Sequence, residues 1–126
     1  MSAARHDIVL EEESEFEASF VWEDENCNPK DVTGYGAKLE IRNDREDTSP
    51  VLAEASTANG RITVDGTNGK FSVLIPETVV NSMATTLTGL RGEYDFLIWP
   101  SASTPSVGAT RLLTGRVRYE KAATYA

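Results

Sequence analysis

Strict alternation of apolar and polar residues, interrupted at short intervals by turn clusters, is the feature that most narrows what this chain can fold into. Phe16–Glu23 sets Phe16, Ala18, Phe20 and Trp22 on one side, with Glu17, Ser19 and Glu23 mostly on the other. Tyr35–Arg42 repeats the pattern with Tyr35, Ala37, Leu39 and Ile41. A period of two marks a half-buried antiparallel strand, because successive side chains leave a strand on opposite faces. Asp7–Glu12 and Val51–Ser56 are shorter strand candidates, and the polar stretches Asp24–Lys30 and Asn43–Pro50 read as turns or loops.

Two hairpins carry a legible register. Arg61–Asp65 and Lys70–Ile75 flank Gly66–Gly69, which sets Val64 opposite Phe71 and Ile62 opposite Val73. Gly92–Trp99 and Thr110–Tyr119 flank the Ser/Pro-rich connection Pro100–Ala109. Pairing them with Phe96 against Leu113 places Tyr94 over Gly115, Glu93 against Arg116 and Leu97 against Leu112. Core, charge and a glycine gap are then satisfied together. Between the hairpins, Pro76 opens a short helix whose Val79, Val80, Met83 and Leu87 recur at helical spacing.

Length and composition fit this pattern. The chain has 126 residues, enough for one domain over 1–126 with an ordered core of about 7–120. Val, Ile and Thr supply 28 of them, which tilts the expectation toward strands. The expected fold is an all-β, immunoglobulin-like antiparallel β-sandwich of seven to eight strands with one short helix. Phe20, Trp22, Leu39, Phe71, Phe96 and Val117 are its expected core.

The charge excludes several classes of function. Acids outnumber bases 20 to 12, for a net charge of −8, which argues against a nucleic-acid binder that neutralises phosphates and against adsorption to anionic lipid. Ten of the acids and only two of the bases fall within residues 1–31. An acidic flank of that kind is a solvated strand face, a device that repels copies of the chain, or a surface for a basic partner. The first seventeen residues have acids where a secretory signal would need an apolar run, so assembly in the cytoplasm is expected.

Candidate chemical sites fail one by one. Asp24, Asn26 and Asn28 match the opening of a calcium loop, but Pro29 and Tyr35 stand where glycine and glutamate are needed. Glu11, Glu13, Glu15 and Glu17 could offer paired carboxylates for glycoside hydrolysis, yet acids at every second position read as an edge-protecting face. Gly69-Lys70 lacks the upstream glycine and the following Ser or Thr of a phosphate loop. Cys27 lies in an acidic turn and His6 near the terminus, where an inert thiol and a solvated imidazole are expected. No catalytic set, cofactor or metal site is expected. By alternation Leu97, Trp99 and Leu112 face away from Phe96, Ile98 and Leu113, close to Arg116 and Arg118. This trio lies beneath the short helix or forms a contact patch, and both readings stay open; Trp99 could also stack on a sugar ring.

Several short motifs carry a resemblance. Asp31-Val32-Thr33-Gly34-Tyr35 leads into an alternating strand, and Asn68-Gly69-Lys70-Phe71-Ser72-Val73 runs into the Pro-headed helix. Gly92-Glu93-Tyr94-Asp95-Phe96 and Thr114-Gly115-Arg116-Val117 follow. In this order, over roughly residues 8–120, the sequence resembles the amino-terminal domain of phage baseplate upper proteins and related stand-alone phage and prophage tail proteins. The resemblance implies a non-enzymatic virion component of a tailed bacteriophage, used in several copies with other phage structural proteins as partners. Its implied place is the tail, baseplate, neck or fibre base, with capsid decoration and carbohydrate binding as alternatives. Absence of a coiled coil or receptor-binding extension before Ala126 favours an adaptor. The expected contact residues are Leu97, Trp99, Leu112, Arg116 and Arg118, with Glu11, Glu13 and Glu15 selecting the partner.

Overall fold

The computed structural model describes residues 4–46, 48–100 and 109–123; most of the Pro100–Ala109 connection lies outside them. In chain order the strands are β1 (Ala4–Arg5), β2 (Ile8–Glu11), β3 (Phe16–Val21), β4 (Gly36–Arg42), β5 (Ala53–Ser56), β6 (Ile62–Asp65), β7 (Lys70–Ile75), β8 (Arg91–Trp99) and β9 (Thr110–Glu120), with helix α1 (Glu77–Thr86) between β7 and β8. They form two sheets. The larger runs β9-β8-β4-β5 with β1 and β2 both on the outer side of β9, and the smaller runs β3-β7-β6. This is the expected all-β sandwich with one short helix, but with nine strands among the described residues where seven to eight antiparallel ones were expected, because the leading segment forms two short strands that pair with β9 in parallel.

Both hairpins hold their register where the alternation is unbroken. Ile62 faces Val73 and Val64 faces Phe71, across a turn closed by Gly69 in the left-handed conformation (φ 60°). That glycine cannot be replaced cheaply: a Cβ there would lie 2.5 Å from the Lys30 carbonyl oxygen and 2.9 Å from that of Trp22. Between β8 and β9 the pairs Glu93–Arg116, Tyr94–Gly115 and Phe96–Leu113 form as expected. Beyond Phe96 the register slips by one, and Leu97 faces Arg111 instead of Leu112. The leading segment adds a parallel pairing: Ile8 lies beside Val117 and Leu10 beside Tyr119.

The core lies between the sheets. Leu39, Ile41, Tyr94, Phe96, Ile98 and Val117 from the large sheet meet Ile62, Phe71, Val73 and Ile75 from the small one. Phe96 anchors this contact, with its ring 5.6 Å from those of both Phe71 and Phe20. Leu39, Phe71, Phe96 and Val117 are buried as expected, whereas Phe20, on the edge strand β3 of the three-stranded sheet, and Trp22, just beyond the end of that strand, are only half-buried. Helix α1 takes Pro76 as its N-cap, buries Val80 and Met83, and ends where the Leu87 N–H donates to the Met83 carbonyl at 3.0 Å. Asn43 ties the end of the helix to the β4 side, donating to the Thr86 carbonyl (3.1 Å) and accepting from the Thr88 N–H (2.7 Å).

Candidate functional site: the outward face of the large sheet

The period of two that buries Phe96 and Leu39 turns their neighbours outward. Arg91, Glu93, Asp95, Leu97 and Trp99 of β8 share a face with Gly36, Lys38, Glu40 and Arg42 of β4. Register places Glu40 directly against Asp95, a like-charge pair that would be unfavourable alone. Cations surround it. Lys38 and Arg42 each approach Glu40 at 3.5 Å, and Arg111 lies 3.8 Å from Asp95. Arg45, from the loop after β4, reaches across the strands to Asp95 at 2.8 Å and Glu93 at 3.3 Å, and also donates to the Thr114 hydroxyl oxygen at 2.5 Å. Burial alone would raise the Asp95 carboxyl, but hydrogen bonds from Arg45 and from the Thr114 hydroxyl (2.7 Å) outweigh it, so the net displacement is downward. These groups line a depression of about 340 Å³.

At the end of this charged field lie Leu97 and Trp99, both half-buried. The Trp99 indole rests on Gly36: a Cβ at Gly36 would fall 2.6 Å from Trp99 Cζ2, so the glycine makes the seat for the ring. The helix does not cover them. α1 precedes the first residue of β8 and Trp99 is the last, about 26 Å away along the strand at ~3.3 Å per residue. Leu112 is a correction. The register slip gives β9 an extra residue, and Leu112 packs against the core instead of joining Leu97 outside. Arg116 and Arg118 are exposed on β9 at the far end of the face, separated from Trp99 by the Glu93–Asp95–Arg45 cluster.

The acids are arranged differently from one alternating strand face. Glu11 ends β2, the Ser14 N–H donates back to the Glu11 carbonyl at 3.1 Å, and Glu13 takes a left-handed conformation (φ 70°). Glu11 and Glu15 are exposed, Glu13 is half-buried, and only Glu17 lies on the edge strand β3. The four acids are thus split between the end of β2, a turn and β3 and do not share one strand face. Asp24 uses one carboxylate oxygen to accept from the Asn26 and Asn28 backbone N–H groups (2.8 and 3.0 Å), the work of a turn. Cys27 is exposed in that turn, and Lys30 sits 4.3 Å from the Trp22 ring centroid in a cation–π contact. His6 is exposed, yet its ring meets Phe20 edge-on at 5.7 Å and its carbonyl accepts from the Tyr94 hydroxyl. Alternation alone did not single out Arg45; the run of five charges in 42–47 was its only signal.

Fold and face together define an immunoglobulin-like β-sandwich with a charged, aromatic-tipped outer sheet. No family model and no curated protein matches the chain. Among solved structures it is similar to the N-terminal domain of phage TP901-1 ORF48, at 16% identity and a TM-score of 0.45 over 94% of this chain and 99% of that one. It is also similar to the extracellular domain of the voltage-gated sodium channel beta4 subunit, a parallel homodimer with a role in cell–cell adhesion, at 12% identity and a TM-score of 0.45 over 97% and 96%. Both likenesses are distant.

Proposed function

We propose that this chain is a non-enzymatic structural protein of a tailed-phage particle, an adaptor at the tail, baseplate or fibre base that works through protein–protein contacts. The observation that carries the contact reading is the outer face of the large sheet, where Leu97 and Trp99 adjoin an organised arginine-rich field. Aromatic and arginine side chains are the groups that contribute most at interface centres, about 2 kcal/mol or more each when desolvated. The particle setting is supported by the order of turn motifs in the sequence. Those motifs hold the fold: Asp31 accepts from the Thr33 N–H at 2.9 Å, Val32 is fully buried, and Gly34 is left-handed (φ 78°).

The test is mass spectrometry of gradient-purified particles, with labelled antibody to locate the chain by electron microscopy. The expected result is several copies per particle at the tail or fibre base. Absence from intact particles overturns the reading, and label on the capsid surface overturns the adaptor role.

A further inference from the structure

Two of the three arginines at the helix end of the outer face, Arg91 and Arg116, lack the carboxylate partners that the face's other cations have among the described residues. Register sets Glu93 opposite Arg116, but Arg45 draws Glu93 to itself, and Arg116 is in no ion pair among the described residues. Arg91 stands opposite Arg118, a like-charge cross-strand pair, and Arg91 has no ion pair among the described residues either. Arg118 alone is engaged, with Glu120 at 2.9 Å. The nearby acids are already committed. Asp7 faces Arg5 at 3.6 Å and accepts from the Arg116 backbone N–H at 2.9 Å, and Asp44 accepts from the Glu46 N–H at 2.9 Å. By contrast Lys38, Arg42, Arg45 and Arg111 on the same face each have a carboxylate within 4 Å. The three arginines border a groove of about 880 Å³, and Val9 of β2, 37% exposed, lies beside Arg118.

We infer that Arg91, Arg116 and Arg118 receive the acidic Glu11–Glu15 turn of a second copy of this chain, in a reciprocal contact. The complement is built into the molecule. Glu11 pairs in register with Glu120, two residues along from the Val9–Arg118 pair, so the basic patch and the acidic turn adjoin on one surface. A two-fold axis between them lets each copy's arginines meet the other's glutamates, the self-complementarity that an isologous dimer requires. Val9 lies at the junction as the apolar residue. The flanking glutamates disfavour a nucleic-acid occupant, and a net charge of −8 makes this patch a local exception.

Sedimentation of the full chain tests this with two folded variants, confirmed by circular dichroism. One carries Arg91→Glu, Arg116→Glu and Arg118→Glu, and the other Glu11→Lys and Glu15→Lys. The wild type is expected to dimerise at about 50 mM salt and to dissociate toward monomer at about 500 mM, as screening shortens. Each variant alone is expected to associate about 100-fold more weakly. An equimolar mixture regains the dimer, because the reversed patch meets the reversed turn while the native pair remains on the other side. A wild type that stays monomeric at about 1 mM protein and low salt overturns the inference. So does a dimer indifferent to the substitutions, or a mixture that stays monomeric. A chain present in particles but monomeric refutes this contact alone, and a dimer absent from particles refutes the virion reading alone.

Discussion

Truncating Phe96 to alanine probes the packing between the two sheets. Phe96 is fully buried on β8, and its ring touches Phe71 and Phe20 from the opposite sheet at 5.6 Å. Removing a buried phenylalanine costs ~3–5 kcal/mol in lost transfer and residual cavity. Two aromatic contacts worth ~0.5–1.5 kcal/mol each beyond buried area place this site at the upper end, about 4–5 kcal/mol. At ~0.05–0.15 kcal/mol per residue, a chain of this length has ~6–19 kcal/mol in total, so the variant folds but is strongly weakened. Its melting temperature is expected to fall by ~15–20 °C. Phe20→Ala, at a half-buried site on an edge strand, is expected to cost about half as much. Urea unfolding followed by far-ultraviolet circular dichroism compares them, with unchanged slopes confirming that only stability has moved. A Phe20→Ala cost equal to or above that of Phe96→Ala would refute the assignment of Phe96 as the anchor between sheets.

Gly115→Ala places a methyl group 2.7 Å from the His6 carbonyl carbon and 3.0 Å from Tyr94 Cε1. It is expected to cost ~1–3 kcal/mol and to speed amide exchange over residues 4–11 while sparing β8 and β4. Burial, then the charges of Asp7 and Asp95, push Tyr94 up to about 12 from an ordinary 10. Its contribution to stability is therefore complete below pH 10 and lost as pH rises toward 12; Tyr94→Phe should flatten this alkaline limb, as read from unfolding midpoints across pH. Asp95 is displaced the other way, below 3.8, so its contribution is present above that pH and lost as pH falls through the lowered value. Arg45→Ala removes the leading hydrogen bond that outweighs burial, and acid unfolding should begin at higher pH.

Where neighbouring residues in the chain decided the outcome, the sequence was legible. Ile62, Val64, Phe71 and Val73 alternate across a glycine turn, and their pairing follows from that pattern alone. The same holds from Arg91 to Phe96, where Tyr94 needs Gly115 opposite it. The slip at Leu112 was not legible, because alternation continues on paper through a bulge that exists only once β9 must bend. Nor was the capture of Glu93 by Arg45: the residues are 48 positions apart, and the cross-strand partner Arg116 satisfies the same charge logic. Alternation also assigns Phe20 a face without revealing that its strand is an edge, and it carries the strand on to Trp22, which lies beyond the end of β3, so it overstated burial at both. For the candidate site, Leu97 and Trp99 were found by period-two reasoning, while the Gly36 seat for Trp99 required knowing that β4 and β8 are neighbours.

The claim that the outer sheet face holds the chain in a particle is tested most directly by incorporation of Trp99→Ala. Trp99 lies outside the core between the sheets, so the variant is expected to fold with a circular dichroism spectrum like the wild type. Copies per particle, counted by quantitative mass spectrometry, should fall by at least about tenfold for a lost interface anchor of ~2 kcal/mol. A Glu11→Gln, Glu13→Gln, Glu15→Gln variant should fall below wild-type copy number mainly at low salt, and the difference should close as added salt screens the wild-type charges. Folded Trp99→Ala present at wild-type copy number at every salt concentration would contradict the account.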